Sequence, residues 1–174
     1  MIRKILTQEL DIALFSDFRR HQQVHQCWRK VNGEWIVMDN PFTEDWGKED
    51  YGYLVKCLQN TIATGGVVYG AFLDGKLKGF ASVENTFFGS QKQYLELSSI
   101  HVSEDCRGCG IGRKLMDAAK AWAKGQGAQK LYISAHSAVE SQAFYHALGC
   151  LEAEEYNQSS VEKEPFDCQL ELPV

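Results

Sequence analysis

The chain reads as an α/β protein of the mixed α+β kind, a central mixed sheet of six to seven strands with helices on both faces. Two observations predict this. Between Val67 and Val102, β-rich runs separated by turn residues form the pattern of an antiparallel meander. From Arg107 onward the pattern changes to a glycine cluster, an amphipathic helix, an apolar strand and a second helix. A helical crossover of that kind makes the strands it connects parallel and the connection right-handed. At 174 residues the chain suits a single domain, residues 1–174, long enough to bury a core without disulfide or metal staples.

Each element has a local reason. Ile2–Leu6 is expected as a first strand. Thr7 is placed to cap a helix running to about Gln26, because Leu10, Ala13, Leu14 and Phe18 recur at helical spacing. An aromatic-rich connection follows, with Trp28, Trp35, Phe42 and Trp46. A second helix is expected from Glu49 to Ala63, stopped by Gly65 and Gly66. Val67–Leu73 and Leu77–Phe88 are expected as strands joined at Asp74-Gly75, a strong hairpin signal, and Tyr94–Val102 as another. The glycines at 108, 110 and 112 open a helix with Leu115, Ala119 and Trp122 on one stripe, ending near Gly125 to Gly127. A strand at Lys130–Ala135, a helix at Val139–Leu148 stopped by Gly149, and strands at about Leu151–Asn157 and Phe166–Leu172 complete the order.

Hydrophobic residues at 44% and charged residues at 24% are ordinary globular usage and exclude a disordered chain. Eighteen Lys and Arg against 23 Asp and Glu leave a net charge of −5, which argues against a nucleic-acid partner because such binding rests on phosphate neutralisation. No run approaches the roughly 18 apolar residues of a membrane span, so no membrane partner is expected. Polar residues interrupt the opening ten residues, no targeting segment is read there, and a cytoplasmic location with six reduced cysteines is the expectation. Cys106-x-x-Cys109 has no second pair to complete a zinc site, and His21 and His25, spaced for one helical face, lack an acidic partner. No metal is expected.

The chemistry concentrates at Arg107-Gly-Cys-Gly-Ile-Gly112, between a strand and a helix. Glycines at 108, 110 and 112 allow successive backbone N–H groups to face one concavity, and the helix N-terminus behind them adds about half a positive charge. Arg107, Arg113 and Lys114 add cations at its rim, so a phosphate-bearing ligand is implied. A dinucleotide fingerprint fails because Arg113 stands where its third glycine belongs, and no P-loop string exists. What remains, Arg107-x-x-Gly110-x-Gly112, resembles the pyrophosphate-binding signature of the GNAT superfamily of N-acetyltransferases. Leu95–Val102 is similar to that family's fourth strand, and Ala-Phe-Tyr-His-Ala-Leu-Gly-Cys at 143–150 resembles its fourth helix and following turn. Order and separation agree over roughly residues 66 to 150; the first 65 residues resemble the family in pattern alone.

The resemblance implies the acyl-CoA N-acyltransferase fold, with acetyl-CoA as co-substrate where the family's fourth and fifth strands splay apart. It implies pantetheine beside Ile100, His101 and Val102, and pyrophosphate on the amides of Arg107, Gly108, Cys109, Gly110, Ile111 and Gly112. It also implies direct acetyl transfer to a primary amine in a ternary complex, with Tyr145 as general acid toward the CoA sulfur. For the base, Glu96 is the first choice, since period-two alternation puts Glu96, Ser98 and Ile100 on one face and His101 on the other. Where the family often has Asn this chain has Ala138, leaving Ser134, Ser137 or Ser141 as substitutes. Aromatic residues beside Asp39, Glu44, Asp45, Glu49 and Asp50 favour a small basic amine as acceptor through charge and cation–π attraction. A protein or peptide acceptor, and a non-catalytic acyl-CoA-binding module, are the alternatives. A homodimer is compatible with the sequence.

Overall fold

Alternating apolar residues commit the middle of the chain to a sheet, and helices cover both of its faces. A computed structural model describes residues 1–174. The chain runs β1 (Ile2–Lys4), β2 (His21–Val31), β3 (Glu34–Asp45), α1 (Lys48–Ala63), β4 (Val67–Leu73), β5 (Lys76–Val83), β6 (Tyr94–Val102), α2 (Ile111–Gln126), β7 (Lys130–Ala135), α3 (Val139–Ala147), β8 (Leu151–Glu152), α4 (Gln158–Lys163) and β9 (Cys168–Pro173). Seven strands form one sheet in the order β1-β4-β5-β6-β7-β9-β8, and β2 pairs with β3 separately. All neighbours are antiparallel except β6 and β7, the pair that the α2 crossover joins. The mixed seven-stranded sheet agrees with the expected fold class.

The stripe on α2 is the reason it packs where it does. Ile111, Leu115, Met116, Ala119 and Ala123 are buried against Ala81, Leu95 and Leu131 of the sheet. Each fully buried Leu contributes about 1.5–3 kcal/mol relative to exposure. Gly79 permits the close approach, since a Cβ there would lie 2.8 Å from Ile111 Cγ2 and 3.0 Å from Leu115 Cδ1. On the other face Leu54, Val55 and Leu58 of α1 meet Val68, Phe72 and Phe80.

The helix expected over Thr7–Gln26 does not form. Two short 3₁₀ turns, Thr7–Glu9 and Ile12–Phe15, bury Leu10, Phe15 and Phe18 in the α1-side core instead. From His21 the chain becomes β2, and the aromatic connection becomes β3. Asn32 (φ 52°) and Gly33 (φ 86°) supply the left-handed two-residue turn between them. A bulge between Val24 and Gln26 shifts the alternation, so Val24 and Cys27 both turn inward. They pack on Ala138, while Trp28 N–H donates to the Ser137 carbonyl at 2.8 Å and Arg29 Nη1 to Ser137 Oγ at 2.7 Å. The hairpin is thereby fixed against the start of α3.

Three smaller differences concern boundaries. β5 ends at Val83, and Phe88 makes an isolated bridge to Tyr94. The strand expected over Leu151–Asn157 is two residues long, because Asn157 caps α4, its side chain accepting from Ser159 N–H at 3.2 Å. β9 starts at Cys168, and Phe166 is exposed.

Two candidate clefts at a strand fork

β6 and β7 pair over Tyr94–Glu96 and Lys130–Tyr132, and no further. Beyond Glu96, β6 continues to Val102 bonded to β5 alone, while β7 is bonded to β9 over its whole length. The strands therefore part into a fork. A cleft of about 920 Å³ is bordered by Ile100 and Val102 of β6, the loop before α2, and Phe144 and Tyr145 of α3. A second of about 810 Å³ is bordered by Trp46 and Tyr53 and by Glu96 and Ser99 of β6. His101 borders both.

The loop at the first cleft has the geometry its glycines allow. Gly108 (φ +75°) and Gly110 (φ +78°) occupy the left-handed region, with open space where a Cβ would project. Lys114 is the first helical amide to bond a preceding carbonyl, that of Gly110 at 3.2 Å, so the amides of residues 108–113 have no acceptor within the protein. Six free N–H groups at a helix N-terminus form an anion site. Gly112 serves a different purpose: a Cβ there would strike Phe144 Cε2 at 2.8 Å, so it lets α2 and α3 close on each other. Arg107 donates from Nε to the Val102 carbonyl at 3.3 Å, and Arg113 from Nη2 to the Ala147 carbonyl at 3.1 Å. Cys109 and Lys114 are exposed and do not border the cleft.

The expected face of His101 is corrected. Ser82 pairs with Ser99 and Val83 with Leu97, so Ser98 is an extra residue in β6. That bulge reverses the alternation and brings His101 to the side of Glu96. Its ring packs 5.0 Å from Trp46 and 5.2 Å from Phe80, centroid to centroid. Burial, then Arg20, Arg107 and His136, push its pKa down to about 3, so the imidazole is neutral at physiological pH.

Tyr145 and Glu96 border different clefts. Burial, then Cys150 and Asp167, push the Tyr145 pKa well above the usual tyrosine value, and its hydroxyl has no partner within the protein. Burial also raises the Glu96 pKa, against a hydrogen bond from Ser160 Oγ at 3.1 Å. Asp167 is raised likewise by burial and accepts from Ser134 Oγ at 3.1 Å. Of the substitutes for the missing Asn, Ser137 is engaged by Arg29 and Ser134 by Asp167, whereas Ser141 borders the first cleft.

Charge divides between the clefts. Arg20, Arg107 and Arg113 border the first, with Glu104 and Glu140; Asp50, Glu84, Glu96, Glu164 and Asp167 border the second, with Lys56 and Lys163. Of the acids expected near the acceptor, Asp50 alone lines the second cleft. Glu44 instead binds Arg20, Oε2 to Nη2 at 2.5 Å, and lies 3.8 Å from His136. Trp28 and Trp35 pack on the α2-side core, and Phe42 beneath the hairpin. Sequence alone does not single out Glu84, Glu164 and Asp167, because Glu84 follows β5, the other two follow α4, and no motif joins them. No group of three or more His, Cys, Asp or Glu is arranged to hold a metal, and no helix is long and apolar enough to cross a membrane.

The sequence matches the model of the acetyltransferase (GNAT) family over residues 9–150. No curated protein matches it. Among solved structures, a protein assigned as a streptothricin acetyltransferase from Bacillus anthracis, in complex with acetyl coenzyme A, is similar at a TM-score of 0.74 and 17% identity, over 100% of this chain and 98% of that one. Nourseothricin acetyltransferase is similar at 0.72 and 16% identity, over 99% and 97%. A ribosomal-protein-alanine N-acetyltransferase from Brucella melitensis is similar at 0.60 and 19% identity, over 100% and 99%. At these identities the likeness is one of fold.

A carboxyl whose pKa is raised on folding destabilises the folded state once ionised. The penalty is present above its folded pKa and disappears as pH falls below the unfolded value of about 4.3. Glu96→Gln should therefore raise the melting temperature at pH 8, with the gain vanishing near about pH 4, where both side chains are neutral.

Proposed function

The chain belongs to the acetyltransferase (GNAT) family, and from that premise we propose that it transfers acetyl from acetyl-CoA to a primary amine of a small basic molecule. The observation that carries this reading is the pair of clefts meeting at one fork, the first bordered by three arginines, two acids and the free amides, the second by five carboxylates and two lysines. The free amides of 108–113, with Arg107 and Arg113, suit the CoA pyrophosphate. The edge of β6 that β7 leaves unpaired suits the amide-bearing pantetheine, which can add to it as a further strand. The acids of the second cleft suit a cationic acceptor, and Trp46 and Tyr53 beside them add cation–π attraction. Solved relatives include proteins whose names specify small molecules and one whose name specifies a protein acceptor. The acidic lining favours the small cation.

The reaction joins the two clefts. An alkylammonium with a pKa of about 10.4 must lose a proton before it can attack. Glu96, its pKa raised toward the operating pH, is the first candidate to take it. The amine nitrogen bonds to the thioester carbonyl carbon, the C–S bond breaks, and the thiolate leaves toward the first cleft. Tyr145 keeps its proton, and a thiol near pKa 8.5 is too weakly basic to remove it. Its role is to donate a hydrogen bond to sulfur as negative charge develops there, which refines the expected general acid. Holding both substrates in one line makes the attack unimolecular and removes several kcal/mol from the barrier.

The decisive experiment measures free-CoA release from acetyl-CoA across mono-, di- and polyamines, aminated sugars and peptides, with CoA binding in parallel. Release dependent on a small cationic amine is expected. Release with peptides alone would overturn the acceptor assignment, and binding without release would make the protein a non-catalytic acyl-CoA-binding module. Gly110→Asp should weaken CoA binding at least about 30-fold, equivalent to about 2 kcal/mol, because it puts an anion at the nest. Titration of the folded variant checks this. Tyr145→Phe should lower kcat about 100-fold while CoA affinity stays unchanged.

A further inference from the structure

The bulge that turns His101 toward the second cleft also gathers three hydroxyls. Because Ser98 is the extra residue, Ser98 and Ser99 both reach Ser82 on β5: Ser98 Oγ lies 2.8 Å and Ser99 Oγ 2.5 Å from Ser82 Oγ. Ser98 Oγ is also 2.7 Å from Glu84 Oε1. Ser82 is 1% exposed, so its hydroxyl depends on these partners.

The direction of the chain follows from proton counting. A carboxylate only accepts, so Ser98 donates to Glu84. Its single proton is then spent, and Ser82 must donate to Ser98. Ser82 is spent in turn, and Ser99 must donate to Ser82. Ser99 is left with a lone pair free to accept, and it borders the second cleft beside Ile100 and His101, past the point where β6 and β7 part. Glu96 stands before that point, opposite Tyr132 in the last bonded pair. Thr61 Oγ1 donates to the same Glu84 oxygen at 2.7 Å and fixes the carboxylate.

We propose that Ser99, Ser82 and Ser98 form a hydroxyl relay that carries the proton of the acceptor amine to Glu84. The inference rests on the acetyltransfer reading above and assigns the base that reading gave first to Glu96. As Ser99 Oγ accepts a proton from the ammonium, its own passes to Ser82, that of Ser82 to Ser98, and that of Ser98 to Glu84. Each of four protons moves one place, every serine ends neutral, the ammonium becomes an amine, and Glu84 becomes a carboxylic acid. Glu84 borders the same cleft and returns the proton to water there. Glu96 is left to attract the ammonium into the cleft before its proton leaves.

The test is steady-state kinetics of amine-dependent CoA release by the full chain. Glu84→Gln and Ser99→Ala should each lower kcat about 100-fold with little change in KM, and the double variant should be no slower than either. Ser99→Thr, which keeps the hydroxyl, should restore most of the rate. Wild-type kcat in mixtures of H₂O and D₂O should fall along a curve, because several protons move together, and along a straight line in Ser99→Ala. Unimpaired CoA binding shows each variant to be folded. Wild-type kcat in Glu84→Gln, or additive losses in the double variant, would overturn the relay and leave the acetyltransfer reading intact. No amine-dependent release by the wild type would overturn both.

Discussion

The fork depends on a competition for edges that β6 and β7 resolve after three residue pairs. β7 is bonded to β9 over six pairs, and β6 is held to β5 on its far side. Each strand has its own twisted partner, so keeping both in register with each other would strain two antiparallel ladders for one parallel one. The bulge at Ser98 adds local twist to β6 just past the last shared pair. Parting leaves N–H and C=O groups of β6 without strand partners, a cost in a closed core but an asset beside a cleft that admits an amide-bearing ligand. Gly79 and Gly112 act at the same place, bringing α2 against the sheet and α3 against α2 so that the free amides of the loop face that cleft.

What was legible in the sequence was local. The conformation of the loop before α2 could be read from its glycines because a nest is built from consecutive residues whose φ angles are set one at a time. The place of Tyr145 on α3 could be read because a helix carries it at a fixed offset from Gly149. The spacing of Leu10, Ala13, Leu14 and Phe18 predicts a helix that does not form, because short 3₁₀ turns bury Leu10, Phe15 and Phe18 and satisfy a similar apolar spacing. Asn32-Gly33 marks the hairpin that follows by the same chemistry as Asp74-Gly75.

The remaining errors come from parity and from distance along the chain. A strand's alternation assigns faces until one residue is inserted, and then every later assignment reverses. Ser98 is that residue, and nothing in Leu-Ser-Ser-Ile marks it in advance. The acidic lining of the second cleft comes from α1, the end of β5, β6 and the segment around α4, so no window of sequence contains it. Asp39, Glu44 and Asp45 do cluster in sequence, yet the hairpin turns two of them to other partners, Glu44 to Arg20 and Asp39 to Gln26.

Arginines outnumber acids along the first cleft and acids outnumber lysines along the second, so the two attract each other's charged side chains. Arg20 is 92% buried and Glu44 holds it, so this cation of the first cleft is already paired. The rings of Trp46 and Phe80 pack on His101, which borders both clefts. An imidazolium there would attract the carboxylates of the second cleft and repel an approaching ammonium. Burial together with Arg20, Arg107 and His136 keeps the ring uncharged, so it adds no charge to either cleft. The arginines that lower the His101 pKa, Arg20 and Arg107, belong to the first cleft, and the neutral ring they help to maintain adds no positive charge beside the carboxylates of the second. The electrostatics of the first cleft thus act on the second through His101, the one residue that borders both.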